Sequence, residues 1–258
     1  MFPDTAKRIF SIFKLCICSN FETKKFLEEL SVQNIFFKGN IKFIGKVDEK
    51  KIKSLNEKFF LSKKFWLAAS THKEEEIFCL KTHLILNKKY KKVITIIAPR
   101  HIERSKKIKN LAEKMGLNAQ ILNPNNLILE NKQIIIVNYF GVLNEFFKYA
   151  QSVFIGKSMI KRLEKVGGQN PIEAAKLDCK IYHGPYVYNF KEIYKILKKN
   201  NISQVVNNYD ELGKNLLIDF ENDIKRSEKK SDVLKVYGQT ILNDTMILLN
   251  TFILDDAN

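Results

Sequence analysis

Apolar residues along this chain gather into short continuous runs separated by longer amphipathic stretches. Phe65-Trp66-Leu67-Ala68-Ala69 and Val93-Ile94-Thr95-Ile96-Ile97-Ala98 are almost unbroken apolar segments, the pattern of strands covered on both faces of a parallel sheet. Strands are predicted over 65–69, 93–98, 119–122, 133–137, 152–155, 180–183 and 204–206. Helices are predicted between them over 73–86, 103–115, 142–150, 172–177 and 190–199. Thr71 and Glu74 read as a capping box for the 73–86 helix, and Gly116 suits the position just past the 103–115 helix. The alternation predicts an α/β fold, a Rossmann-like, doubly wound parallel sheet.

The flanks follow a different rhythm. A helix over 6–13, a strand over 14–18, a helix over 22–30 opened by Ser19 and Glu22, and a strand over 34–37 make about two strand-helix units. That is too few for a parallel sheet with covered faces. The expectation is a chain that begins inside a domain whose first part lies elsewhere or is borrowed from a partner. Residues 47–62 turn polar and lysine-rich, which suits a connection. Two helices, over 210–229 and 232–254, close the chain. The resulting plan is a remnant of one Rossmann-like domain over 1–47, a linker over 48–62, a second Rossmann-like domain over 63–230 and a C-terminal helix over 231–258.

Composition narrows the partners. The 258 residues carry 44 Lys+Arg against 28 Asp+Glu, a formal charge of +16, which suits anionic ligands: nucleic acid, acidic lipid surfaces or phosphorylated substrates. The lysines are scattered, so a general bias and a basic face both remain open. No RNA-binding aromatic motif or zinc-finger spacing accompanies them, so specific nucleic-acid binding is not expected. The four cysteines (Cys16, Cys18, Cys79, Cys179) lack CxxC spacing, so neither a disulfide framework nor a zinc site is expected. No cleavable signal peptide is visible, and no apolar run is long enough for a membrane span. Membrane association of this chain is expected to be peripheral.

In a doubly wound sheet, ligands gather beyond the carboxyl ends of the strands. The loops at Ser70–His72, Pro99–His101, Asn138–Gly141 and Lys157–Asn170 all follow predicted strands, so they are expected to converge on one crevice. One stretch stands out: Val166-Gly167-Gly168-Gln169-Asn170-Pro171-Ile172-Glu173-Ala174-Ala175. Its glycines permit a tight turn, Asn170 suits a helix cap and Pro171 the first helical position. This is either an ordinary strand-to-helix turn or an anion site in which N–H groups at a helix start face a phosphate. Arg100 is a phosphate or carboxylate fork, or a surface ion-pair residue. His72 and His101 are site or packing residues, and His183 reads as structural. Glu74 to Glu76 read as a solvated helix start. Ser70 and Ser158 either bond a ligand or cap helices.

The ordered motifs Ala69-Ser70-Thr71-His72, Pro99-Arg100-His101-Ile102-Glu103-Arg104, Phe140-Gly141, Phe154-Ile155-Gly156-Lys157-Ser158, Val166 to Ala175 and His183-Gly184-Pro185, preceded by Gly39-Asn40-Ile41-Lys42-Phe43, resemble the 3-deoxy-D-manno-octulosonic acid (Kdo) transferases of Gram-negative bacteria. The resemblance runs from about Phe10 to Leu249. It implies the glycosyltransferase B architecture, two Rossmann-like domains, with this chain supplying the end of the acceptor-side domain and the donor-side domain. It also implies metal-independent, inverting transfer of Kdo from CMP-Kdo to a lipid A precursor at the cytoplasmic face of the inner membrane. The chain would sit there peripherally, or be anchored through a part that precedes Met1. By resemblance, CMP is held by Pro99 and Arg100, by Phe140, Gly141 and Val142, and by Asn170, Pro171, Ile172 and Glu173. No cofactor or metal is implied. The family's general base, a Glu of the acceptor-side domain, is expected before Met1, so no catalytic residue is assigned here.

Departures from the family pattern are informative. The family usually has an acid where this chain has Val142, Gly-Gly-Ser where it has Gly156-Lys157-Ser158, and His where it has Gln169. Lys157 either adds charge near the donor or lies in solvent. The alternative to a transferase is a catalytically incomplete fragment that only binds CMP or CMP-sugar.

Overall fold

The computed structural model describes residues 3–45, 47–222 and 231–255. Contacts divide the chain into two compact units, Met1–Lys46 with Asp232–Asn258, and Val47–Ser231. The first unit opens with α1 (Pro3–Phe10), β1 (Cys16–Ile17), α2 (Phe21–Glu29) and β2 (Ile35–Phe36). β1 and β2 pair in parallel, and Cys18, Leu27 and Val32 form a small core beside them. The start of α2 is capped by Asn20, which accepts from the Thr23 N–H at 2.7 Å. Asn20 thus takes the place expected of Ser19, because its amide oxygen reaches the third N–H of the helix.

The second unit follows in the order α3 (Glu57–Ser62), β3 (Phe65–Thr71), α4 (Glu75–Lys89), β4 (Ile94–Pro99), α5 (Ser105–Lys114), β5 (Ala119–Leu122), β6 (Ile134–Val137), α6 (Leu143–Tyr149), β7 (Ser152–Ile155), α7 (Ile172–Lys176), β8 (Lys180–His183), α8 (Lys191–Lys199), β9 (Ser203–Val205) and α9 (Tyr209–Glu221). Its seven strands lie in the order β5-β6-β4-β3-β7-β8-β9, every neighbouring pair parallel. This is the expected doubly wound α/β sheet. Alternating residues of β3 serve opposite faces. Trp66 and Ala68 join a core with Leu80 and Leu86 of α4, Ile108 and Ala112 of α5, and Leu212 and Leu216 of α9. Phe65 turns the other way, onto Phe60 of α3, whose ring also meets Phe146 of α6. Burial of each such side chain contributes about 1.5–3 kcal/mol.

Three expectations need adjustment. The segment expected to be a linker ends in α3, with Phe59 and Phe60 buried; two adjacent aromatics demand a core, which the second unit supplies. The predicted 210–229 helix ends at Glu221 with Asn222 as its C-cap, and residues 223–229 lie outside the described residues. The last helix, α10 (Ser231–Asp255), groups with the first unit. There Tyr237 meets Phe43 edge-on at 5.1 Å, and Gly238 lies so close to Phe43 that an added Cβ would sit 2.5 Å from its carbonyl oxygen.

Polar groups inside the second unit are tied down. Asp219 of α9, fully buried, accepts from Ser152 Oγ at 2.6 Å, Tyr182 OH at 2.7 Å and Lys180 Nζ at 2.7 Å. It pins α9 to β7 and β8; burial, together with Asp219, pushes the Tyr182 hydroxyl well above its ordinary range. His83 bonds Thr95 Oγ1 at 2.9 Å, and His183 Nδ1 bonds the Gly184 carbonyl at 2.7 Å. Burial lowers both imidazoles from 6.5 to about 4.

That shift has a defined sign. Between pH 6.5 and about 4 the unfolded chain binds protons that the folded chain refuses at these two sites, so their contribution to stability is present above pH 6.5 and lost as pH falls towards 4. The loss is on the order of 3 kcal/mol per histidine. Urea unfolding at pH 7, 6 and 5 is expected to show His83→Gln with a shallower decline than the parent chain. Parallel declines would contradict it.

Candidate functional site

Strand order reverses between β3 and β7, so the crevice of this sheet is expected outside their carboxyl ends. The backbone there is bent hard. The register of β3 against β4 slips between Ala69 and Thr71, with Ser70 in the left-handed region at φ 56°. Glu74 and Lys157 are left-handed too, at φ 87° and 57°. Left-handed backbone costs a non-glycine residue on the order of 1 kcal/mol and persists only where surrounding structure over-determines it.

The over-determining group is Glu75. This first residue of α4 is 1% exposed, and its carboxylate spans the reversal. Oε2 accepts from the N–H of His72 at 2.9 Å and of Lys157 at 2.7 Å. Oε1 accepts from the N–H of Ser158 at 2.8 Å and of Met159 at 3.0 Å. Burial pushes the Glu75 carboxyl upward, opposed by these four donors. Gly156 makes the approach possible, since a Cβ there would lie 2.6 Å from the Ser70 carbonyl oxygen and 2.8 Å from Glu75 Oε2.

Glu75 therefore corrects the expectation of a solvated helix start. Glu74 makes no side-chain cap; it pairs instead with Arg162 at 3.1 Å. Glu76, 2% exposed, receives a fork from Arg104, Nε to Oε1 and Nη2 to Oε2, both at 3.0 Å. The two buried acids tie the start of α4 to the loop after β7 and to the turn after β4. An acidic run after a strand was the visible signal, but only the pairing of β3 with β7 reveals what Glu75 holds.

The remaining loops are built onto this frame. The Arg100 N–H donates to the Thr71 carbonyl at 2.9 Å, leaving its side chain exposed beside buried Pro99. His72 and His101 meet edge-on at 5.5 Å. His72 Nδ1 lies 3.3 Å from the Ser70 carbonyl, which only accepts, so Nδ1 carries the proton and Nε2 is an acceptor. Burial lowers the His72 pKa, with His101, Lys157 and Arg100 adding to the effect against the Ser70 bond. Beyond β6, Phe140 is 63% exposed, Gly141 is left-handed at φ 81°, and Val142 is half-buried.

The Gly167-Gly168 stretch departs from its expected role. Gly167 is pressed against the Tyr186 carbonyl, and a Cβ on Gly168, at φ 88°, would lie 3.0 Å from Val187 Cα. The close approach is to the chain's own loop after β8. The Gly168 N–H donates to the Lys157 carbonyl at 2.6 Å, and the Ile172 N–H to Asn170 Oδ1 at 3.1 Å. The helix starts one residue later than expected, with Pro171 at its N-cap and no side-chain cap bond; Asn170 bonds the Ile172 N–H from one residue further out, these two N–H groups are engaged internally, and α7 has only 5 residues. Little of a helix dipole is left for an anion. Pro171 and Ile172 are buried, Asn170 half-buried and Glu173 exposed. Ser158 is structural: its hydroxyl donates to the Ile155 carbonyl at 2.7 Å and accepts from the Gly184 N–H at 2.9 Å.

The loops after β6, β4, β3 and β7 share one edge because these strands are parallel neighbours. At about 4.8 Å per strand, the β6 and β7 loops stand roughly 14 Å apart. Among the described residues, no group of three or more His, Cys, Asp and Glu is arranged to hold a metal ion.

No protein-family model matches the chain. It is 33% identical over 162 residues to the 3-deoxy-D-manno-octulosonic acid transferase of Haemophilus influenzae, covering 62% of this chain and 37% of that protein. It is 29% identical over 247 residues to the enzyme of the same name from Rickettsia typhi, covering 93% and 52%. With that of Aquifex aeolicus it shares 27% over 229 residues, covering 87% and 60%. The chain thus spans about half the length of the curated relatives it matches. Among solved structures, the C-terminal CMP-Kdo binding domain of WaaA from Acinetobacter baumannii superposes with a TM-score of 0.62 at 20% identity, over 75% of this chain and 97% of that one. A glycosyltransferase from Rickettsia africae gives 0.55 at 12% identity, over 98% and 66%. The fold is that of these glycosyltransferases, and similarity to the Kdo transferases extends along nearly the whole chain, as the ordered motifs imply.

Glu75→Gln places an amide NH2 against two of the four N–H groups that the carboxylate accepts. Urea unfolding is expected to show a loss of about 2–4 kcal/mol, the range for breaking a buried, charge-assisted set. A loss under about 0.5 kcal/mol would show that the carboxylate does not hold the loops.

Proposed function

We propose that this chain is the donor-binding part of a Kdo transferase and that its crevice holds CMP-Kdo. The observation that carries the reading is the gathering of the Pro99-Arg100, Phe140-Gly141-Val142 and Asn170-Pro171-Ile172-Glu173 loops at one sheet edge, around the strand-order reversal, in a chain similar to Kdo transferases along most of its length. Arg100 supplies a planar, permanently charged fork for the CMP phosphate. Glu173 accepts from ribose hydroxyls, and the exposed Phe140 ring offers a flat apolar face to the base. Buried Pro99, Pro171 and Ile172 shape the loops, while Gly141 and Val142 make backbone contacts, since Val142 has no side-chain acceptor.

In the proposed reaction an acceptor hydroxyl oxygen, on a lipid A precursor, bonds to the anomeric carbon of Kdo with inversion as the bond to the CMP phosphate oxygen breaks. Cationic side chains here stabilise the charge that grows on the departing phosphate, without a metal. The hydroxyl proton passes to a base that we assign to no residue of this chain. The acceptor lies at an anionic inner-membrane surface, which suits the charge of +16. Among the described residues, no helix is long and apolar enough to cross a membrane.

That the chain spans about half of its relatives' length favours a second reading, a piece that binds CMP or CMP-sugar without turnover. Calorimetric titration with CMP, beside an assay of Kdo transfer, separates the two: binding with transfer supports the transferase, binding alone supports the second, and no binding overturns both. In the same titration Arg100→Ala is expected to weaken CMP about 10- to 100-fold, the worth of a hydrogen bond to a charged group. Unchanged affinity would remove Arg100 from the site.

A further inference from the structure

The reversal point also carries a charge that its backbone pays to keep. Lys157 is left-handed at φ 57°, a conformation that glycine adopts freely and that Asn or Asp eases with a short polar side chain. Lysine has neither advantage. Both its peptide groups are nevertheless locked: the N–H donates to Glu75 Oε2 at 2.7 Å, and the carbonyl accepts from Gly168 at 2.6 Å. Strain held this firmly at a strand-order reversal is the kind found at ligand-binding loops.

The surroundings point to an anion. The N–H groups of His72 and Lys157 share Glu75 Oε2 at 2.9 and 2.7 Å, the Arg100 N–H bonds the Thr71 carbonyl at 2.9 Å, and the His72 and His101 rings meet at 5.5 Å, so these residues from the loops after β3, β4 and β7 lie together. The acids at the start of α4 are committed elsewhere: Glu74 to Arg162, Glu75 to backbone N–H groups, Glu76 to Arg104. His101 has Glu103 at 3.6 Å. Among the described residues, neither Arg100 nor Lys157 forms an ion pair. With the Gly168 and Ile172 N–H groups engaged internally, cations rather than the short α7 must balance a bound phosphate.

We propose that Lys157 is a donor-binding residue, its ammonium taking an anionic group of the nucleotide-sugar, phosphate or sugar carboxylate, at the β3–β7 reversal. This rests on the reading of the crevice as a CMP-Kdo site. Lys157→Gly tests it, because glycine accepts the left-handed backbone and the change removes the charge while relieving the strain. Its urea midpoint is expected to equal or exceed that of the parent. The parent, Lys157→Gly and, as a control for overall charge, Lys92→Ala are titrated with cytidine, CMP and CMP-Kdo. A loss of about five- to tenfold for CMP and CMP-Kdo but not cytidine assigns Lys157 to the phosphate. A loss for CMP-Kdo alone assigns it to the carboxylate. Equal affinities in parent and Lys157→Gly, an equal loss for cytidine, or the same loss in Lys92→Ala overturns the inference while leaving the crevice in place. A parent chain that binds none of the three overturns the underlying reading, and this inference with it.

Discussion

A single buried carboxylate, Glu75, takes up the N–H of His72, three residues before it, and those of Lys157, Ser158 and Met159, 82 to 84 residues after it, in two loops that meet at the strand-order reversal. A carboxylate in a dry site is unfavourable unless several donors surround it, and four N–H groups do. In return they fix the path of the chain after β3 and after β7. Gly156, the left-handed Ser70 and Lys157, and the seating of His72 all follow from that arrangement. Among the described residues, Arg100 and Lys157 at the mouth of the sheet form no ion pair, while His101 lies 3.6 Å from Glu103.

The two edges of the sheet are built for different ends. Near the amino ends of β7 and β8, Asp219 gathers Ser152, Lys180 and Tyr182, a set of polar groups satisfied by one another. At the carboxyl ends the acids are satisfied by backbone N–H groups and by Arg104, while Arg100 is left exposed and Lys157 half-buried. Binding an anion at the carboxyl edge would relieve repulsion among like charges, whereas the Asp219 set at the opposite edge already satisfies its own charges.

Much of the frame was legible in the residues. Continuous apolar runs bounded by breakers placed β7 and β8 at the spans observed, and Gly116, left-handed at φ 74°, closes α5 as its position implied. Parallel strands then carried the four loops to one edge. Local pattern misled where a distant partner decides. Thr71 and Glu74 matched a capping box, but Thr71 belongs to β3 and the working acid is the next residue but one after the loop's His72 + Lys73 turn, Glu75. Gly167-Gly168 read as an approach to a ligand and is an approach to Tyr186 and Val187. Phe59 and Phe60 sat in a lysine-rich stretch whose average polarity hid their burial, and nothing local marks α10 as a companion of Phe43.

The most direct test of the account is a crystal structure of the chain grown with CMP. The account predicts the nucleotide at the carboxyl edge of the sheet, with its phosphate at Arg100 and its ribose against Glu173, and with the Glu75 bonds intact. CMP bound elsewhere, or a Glu75 carboxylate released from the loop after β7 in that complex, would contradict it.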